Sequence, residues 1–241
     1  SEKIVDNAVF VSVTPDKPAV ERIVQKVFFV DKNHKDDLLA QLLEAKHWNR
    51  VLVFVQMKHS ADKVVKQLQS LKISAIAIHG NKSQGARTKA LAKFKLGEIR
   101  VLVATDIAAR GIDVDSISHV INYDLPNTPD TYIHRIGRTA RAGAEGDAVS
   151  FCSASERDGL RAIEKMLRLT IPTERDNSFY SKEADQATGA AARPLPRVTR
   201  GSRGSSRNVR TDTNNKKRPA PSSRPWQKNK GGGRRSPSRS R

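Results

Sequence analysis

Cysteine is nearly absent: Cys152 is the only one in 241 residues. That excludes an internal disulfide and a cysteine-cluster zinc site, and it suits a reducing, cytoplasmic compartment. No apolar run approaches the ~20 residues that a membrane-spanning helix requires, so a membrane is not an expected partner. The start carries no signal-peptide pattern. No GxxxxGK[ST] segment occurs, so no loop of that kind is present to cradle the β- and γ-phosphates of a nucleotide.

Positive charge is plentiful. The formal net charge is +19 and the pI about 10.4, which points to polyanionic partners. Its distribution matters more than its sum. Arg193 to Arg241 holds 16 Lys/Arg and one acid, Asp212, whereas residues 1–192 hold 28 bases and 24 acids. The body is nearly balanced and the end is a cationic arm. In that arm Pro, Gly, Ser and Arg dominate, as in SRGSSR and GGGRRSPSRSR, and such a composition buries too little apolar surface to offset the entropy of ordering. The expectation is a disordered basic tail from 173 to 241. It would bind nucleic acid through counterion release and through stacking on the lone Trp226 of that stretch. A merely solubilising or linking role is the alternative.

Before the arm, short apolar runs alternate with amphipathic ones. VQKVFFV (24–30), VLVFV (51–55), ISAIAI (73–78), RVLVAT (100–105), SHVINY (118–123) and DAVSFCS (147–153) read as strands. HKDDLLAQLLEA (34–45, with Asn33 as a cap), SADKVVKQLQSL (60–71), SQGARTKALAKF (83–94), a short helix within 128–141 and ERDGLRAIEKMLRL (156–169) read as helices. This alternation predicts an α/β fold, a parallel sheet with helices on both faces, over residues 25–172. The chain starts at Ser1 with strand-like NAVFVSV and a TPDKP turn. Residues 1–24 are therefore expected to be the end of a preceding lobe plus a linker, in a piece of a longer protein.

Ligands of such sheets sit at the carboxyl ends of the strands. Three segments lie there. HRIGRTAR spaces Arg135, Arg138 and Arg141 by three, on one side of a helical turn, where guanidiniums repel unless an anion lies opposite. Phosphate is one such anion; a solvated basic face with salt bridges is the other reading, although Gly137 and the flanking His134 have no place in it. TDIAARGIDV follows a strand, with Thr105 near an oxyanion, Gly111 free to let backbone approach, and Asp113 an acceptor for a ribose hydroxyl. A turn with an Asx cap fits it equally. HGNKSQGAR sets Gly80 after a strand and Gln84 and Arg87 at a helix start, where free N–H groups attract phosphate. An ordinary capped helix fits as well.

Taken together and in order, VLVFVQMK, HGNKSQGAR, VLVATDIAARGIDV and YIHRIGRTAR resemble the C-terminal half of the DEAD-box RNA helicases, over roughly residues 25–170. The wording is nearest to the bacterial RhlE-type subgroup, and His134 favours DEAD-box over DEAH enzymes. The resemblance implies a RecA-like lobe that closes with an N-terminal lobe over ATP and single-stranded or structured RNA. It implies Arg138 and Arg141 as arginine fingers, His134 and Arg135 in the network toward the other lobe, and Gly111 and Asp113 at the nucleotide. Gly80, Gln84, Arg87 and Thr105 would hold RNA phosphates. ATP and Mg²⁺ would be bound mainly by the N-terminal lobe and not tightly by this chain, which alone should not hydrolyse ATP. Met57 stands where the family usually has threonine, so a hydroxyl contact to an RNA phosphate is expected to be lost, with backbone N–H groups able to make it instead and a modest effect. KEAD (182–185) and SAS (153–155) come too late in the order to be family motifs. The alternatives are an RNA tether or regulatory docking module without catalysis, and a DNA-directed enzyme of the wider superfamily.

Overall fold

The apolar runs become strands, the central ones buried on both sides. In the computed structural model, which describes residues 22–46, 48–109, 117–140 and 145–194, the strands are β1 (Ile23–Phe29), β2 (Val51–Phe54), β3 (Ala75–Ile78), β4 (Val101–Ala104), β5 (His119–Asn122) and β6 (Gly146–Cys152). They form one six-stranded sheet in the order β1-β6-β5-β2-β4-β3. Every pairing is parallel. All the carboxyl ends therefore face one way.

The helices cover both faces, because alternate residues of each strand point to opposite sides. Val51 and Val53 face α1 (Lys35–Lys46) and α2 (Lys58–Ser70), packing with Leu38, Leu39, Leu43, Val64 and Leu68. Leu52 and Phe54 face the other way, onto Ala90 and Phe94 of α3 (Gln84–Lys95) and Ala108 and Ala109 of α4 (Asp106–Ala109). Further along that second face, Tyr132 and Ile136 of α5 (Pro129–Ile136) and Leu160 and Ile163 of α6 (Arg157–Leu167) pack on Val27, Phe29 and Ala148. Each fully buried leucine contributes on the order of 1.5–3 kcal/mol.

Two expectations change. Asn33 does not cap α1: a 3₁₀ turn over Lys32–His34 runs straight into the helix, and Asp31 stands at its head. The backbone of that turn is closed by the His34 N–H donating to the Asp31 carbonyl at 2.9 Å, so no side-chain cap is required. Second, the chain between 173 and 194 is part of the folded body, in contrast to a tail starting at 173. Outside β1, the Val27 N–H donates to the Pro172 carbonyl, the Glu174 N–H to the Val27 carbonyl, and the Ser181 N–H to the Phe29 carbonyl, each at 2.9 Å. A helix α7 (Lys182–Gln186) and a 3₁₀ turn (Gly189–Ala192) follow, burying Ala184 and Ala192. Few apolar residues are needed here, because small alanines and backbone hydrogen bonds carry the packing. KEAD is thus α7, a structural helix. NAVFVSV and the stretch from 195 onward lie outside the described residues.

Candidate functional site

At the carboxyl ends of the strands, Arg135 is the most constrained polar residue. It sits on α5 at 1% exposure. Its Nε and Nη2 donate to both carboxylate oxygens of Asp106, at 2.6 and 2.9 Å. Its Nη1 donates to the Asn122 side-chain oxygen at 3.1 Å and the Asp124 carbonyl at 2.6 Å. The guanidinium lies 4.9 Å from the centre of the Phe54 ring. The anion facing Arg135 is thus a carboxylate from the TDIAARGIDV segment of the same lobe. A two-toothed pair of this kind fixes orientation as well as charge.

That pair ties two of the three sequence segments together. It borders a recess of about 290 Å³ lined by Phe54, Asp106, Ala109, Thr131, His134, Arg135 and Arg138. His134 is exposed and Arg138 half-buried, so both side chains reach this open side. Gly137 follows α5 directly; a Cβ there would come within 3.1 Å of the Ile133 carbonyl, which the glycine avoids. Gly111, Asp113 and Arg141 lie outside the described residues.

The third segment stands beside them. His79 follows β3, buried, with its Nε2 3.0 Å from Asp62 and its Nδ1 facing the Asn81 N–H at 3.3 Å. This anchors the loop that exposes Gly80, around which a Cβ would find open space. Ser83 caps α3 by accepting from the Ala86 N–H at 3.2 Å. Gln84 is exposed on the first turn. Arg87 donates to the Gln84 side chain and, across the gap, to the Ala108 carbonyl of α4, both at 3.3 Å, while its Nε is buried without a partner. Thr105 is half-buried between β4 and α4, and its N–H is turned to the Ile78 carbonyl at 3.4 Å. Gly80, Gln84, Arg87, Thr105, His134, Arg135 and Arg138 therefore all stand at one end of the sheet. The single parallel direction of the strands is what brings them there.

A buried ionic knot underlies this end. Lys35 donates to Glu156 at 2.7 Å, to Asp124 at 3.3 Å and to the Tyr123 carbonyl at 2.8 Å. Burial alone would lower the Lys35 ammonium, but the Glu156 and Asp124 carboxylates outweigh it and hold it above its usual value. Burial would likewise raise the Glu156 carboxyl; Lys35 and the Ser153 hydroxyl reverse this and hold it below. Ser153, of the SAS triplet, forms a capping box with Glu156. The Cys152 thiol next to this knot is pushed up to about 12, chiefly by burial, which leaves it an inert core group. Reading the sequence by itself singled out neither Asp106, Asn122 and Asp124 nor Lys35 and Glu156. Asp106 and Asn122 fall inside segments already marked, but a local pattern does not distinguish a polar residue that turns inward from one that meets solvent.

Residues 34–143 match the helicase conserved C-terminal domain. The chain is 41% identical over 178 residues to the DEAD-box ATP-dependent RNA helicase CshA of Bacillus licheniformis, covering 72% of this chain and 37% of that protein. It is 35% identical over 208 residues to the ATP-dependent RNA helicase RhlB of Aliivibrio salmonicida, covering 86% of this chain and 46% of that protein. The chain thus spans less than half the length of these curated relatives. Among solved structures, the E. coli DEAD-box protein SrmB bound to RraA superposes with a TM-score of 0.61 at 36% identity, over 66% of this chain and 95% of that one. The C-terminal domain of the DEAD-box protein Dbp5 superposes with a TM-score of 0.60 at 32% identity, over 64% of this chain and 91% of that one.

Proposed function

This chain belongs to the DEAD-box helicases as their C-terminal RecA-like lobe, and on that premise we propose that it is half of an ATP-dependent RNA helicase that unwinds or remodels short RNA duplexes. The observation that supports this best is the Arg135–Asp106 pair. It locks the HRIGR segment and α4 into one rigid unit, with His134 and Arg138 on its open side. A rigid unit can present a cation to a nucleotide held by another lobe without reorganising at the moment of reaction.

In this reading Arg138 and Arg141 reach the γ-phosphate as arginine fingers, and His134 and Arg135 carry the link to the partner lobe. Gly111 and Asp113 meet the nucleotide. Gly80, Gln84, Arg87 and Thr105 contact RNA phosphates, which makes binding indifferent to base sequence. ATP and Mg²⁺ are held mainly by the N-terminal lobe, since no phosphate loop occurs in this sequence. Lobe closure on ATP bends one RNA strand so that a short duplex separates. The cytoplasm is the proposed compartment, and the RhlE-type subgroup is the proposed one, on the wording of the motifs.

The test uses the full protein. Arg138→Ala is expected to lower RNA-stimulated ATP turnover by about 10³-fold or more, the scale of such fingers, while tail-driven RNA binding persists. Near-normal turnover in the variant, or RNA-dependent turnover by this chain alone, would overturn the two-lobe mechanism. A second reading has one observation in its favour: the similar E. coli lobe was solved with a protein regulator bound. On that ground we propose that this lobe also serves as a docking face.

A further inference from the structure

On the α1 face of the sheet, at the amino ends of the strands, a groove of about 500 Å³ stays open, a volume in the range of ligand-binding clefts. Phe28, Leu42 and Val149 are buried at its floor, and Val24 of β1 stands in it 53% exposed. The helicase motifs lie elsewhere. Arg135 bonds to Asn122, the last residue of β5, whereas the groove takes in His119, the first, about 10 Å back along the strand. Phe54, under the Arg135 guanidinium, also belongs to the opposite face of the sheet.

One wall of the groove is aromatic and fixed. The Trp48 ring stacks on His119 with 4.1 Å between centroids. The Trp48 carbonyl accepts from Arg100 Nε at 2.5 Å, and His119 Nδ1 lies 2.8 Å from the Ser118 hydroxyl. A wall held in this way needs no ordering when a guest arrives, which favours binding. Gln41 and Ala45 of α1 line this groove and also a second recess, of about 500 Å³, which holds the exposed Leu71. The two recesses therefore meet along the outer ridge of α1.

Their charge runs against that of the body. Asp147, Glu174 and Asp176 line the first recess, and Asp37 and Glu44 the second, against Lys26 and Lys46. Five carboxylates thus face two ammonium groups, although residues 1–192 as a whole carry more bases than acids. Lys26 is already engaged by Glu174 at 3.6 Å. Burial holds the His119 imidazole below its ordinary value, with Asp147 opposing only in part, so the ring adds no full positive charge at neutral pH. Nucleic-acid phosphates would meet like charge here, whereas arginine or lysine side chains find partners. The aromatic wall and the exposed Val24 and Leu71 call for apolar side chains between them.

We propose that this groove docks a cationic peptide segment of a partner protein, with arginine or lysine on the carboxylate rim and an aromatic or aliphatic side chain against Val24 and Trp48. The proposal deepens the docking-face reading above and rests on it.

The test selects short random peptides, displayed on phage, on the full protein with excess single-stranded RNA present. Enriched peptides are expected to combine Arg or Lys with aromatic or aliphatic residues. Once synthesised, they should bind Val24→Arg and Asp176→Lys more weakly than wild type by about tenfold or more, the scale of losing one anchor in an interface. Both positions are exposed, so folding should be unaffected. RNA-stimulated ATP turnover of both variants should stay within about twofold of wild type, as for a distant, independent site. Peptides that bind both variants as tightly as wild type sit elsewhere on the protein; that result would overturn the groove and leave the docking reading standing. A selection that enriches no peptide would overturn both. Displacement of the peptides by further RNA would give the groove to nucleic acid, and self-association of the protein that Val24→Arg abolishes would give it to a second copy; either outcome sinks the proposal.

Discussion

Lys35 is 1% exposed, and three acceptors around its ammonium group, two of them carboxylates, make that burial tolerable. Removing one partner of such a group costs more than the pair contributes, because the other charge stays in a poor dielectric. Glu156→Gln is accordingly expected to destabilise the lobe by about 3 kcal/mol at neutral pH, measured by denaturant unfolding. The pH dependence follows from the directions of the two shifts. Glu156 titrates below its ordinary value of 4.5, so its contribution is complete above that value and disappears as pH falls through the lower folded-state value. Lys35 titrates above 10.5, so its share is complete below that pH and is lost only as the solution becomes more alkaline than the folded-state value. The lobe should thus hold a plateau across neutral pH with an acid flank, and Glu156→Gln should flatten that flank. A flank of equal steepness in the variant would assign it to other carboxylates.

At the scale of elements, the join between α5 and β6 leaves no room for a side chain at Gly146. Thr139, after α5, donates from its hydroxyl to the Ile117 carbonyl at 2.6 Å and is 2% exposed. Gly146 begins β6 directly against it. A Cβ at 146 would collide with the Thr139 Oγ1 and come to 2.7 Å from the Ala140 backbone nitrogen. Neither neighbour can withdraw, one being backbone and the other a short bonded side chain. Gly146→Ala is expected to cost about 2–3 kcal/mol through overpacking, and the loss should appear as a lowered unfolding temperature. Because α5 carries His134 and Arg135, and Arg138 follows in the turn after it, the same variant should weaken ATP turnover in the full protein; wild-type stability would show that the join yields. Nothing in its own segment marks this glycine. The close approach that requires it comes from a residue on another element.

For the whole molecule, the boundary between body and arm has moved. The segment 171–194 covers the outer edge of β1, and an uncovered edge strand is a template for association. Three lengths separate the roles. Residues 1–172 should unfold at lower temperature and aggregate, as seen by light scattering, because the edge is uncovered and the cluster that holds Ile171 and Ala184 is disrupted. Residues 1–194 should match the stability of residues 1–241. RNA affinity should fall more steeply with salt for 1–241 than for 1–194, since each phosphate neutralised by the arm releases counterions. Equal salt slopes would remove the arm from RNA binding, and equal stability of 1–172 would make the 173–194 segment dispensable.

The sequence by itself determined the parallel α/β sheet, the order of its segments and the split between a nearly neutral body and a cationic arm. Each of these is local: strand and helix periods, turn residues and charge are written within a few positions of one another. Tertiary structure decided which polar residues turn inward. Arg135 finds Asp106 across 29 residues, and Lys35 finds Glu156 across 121. It also decided that alanine-rich 182–192 packs while no apolar period announces it. Pairings of that range depend on where the sheet places each strand end, and no window along the chain contains that information.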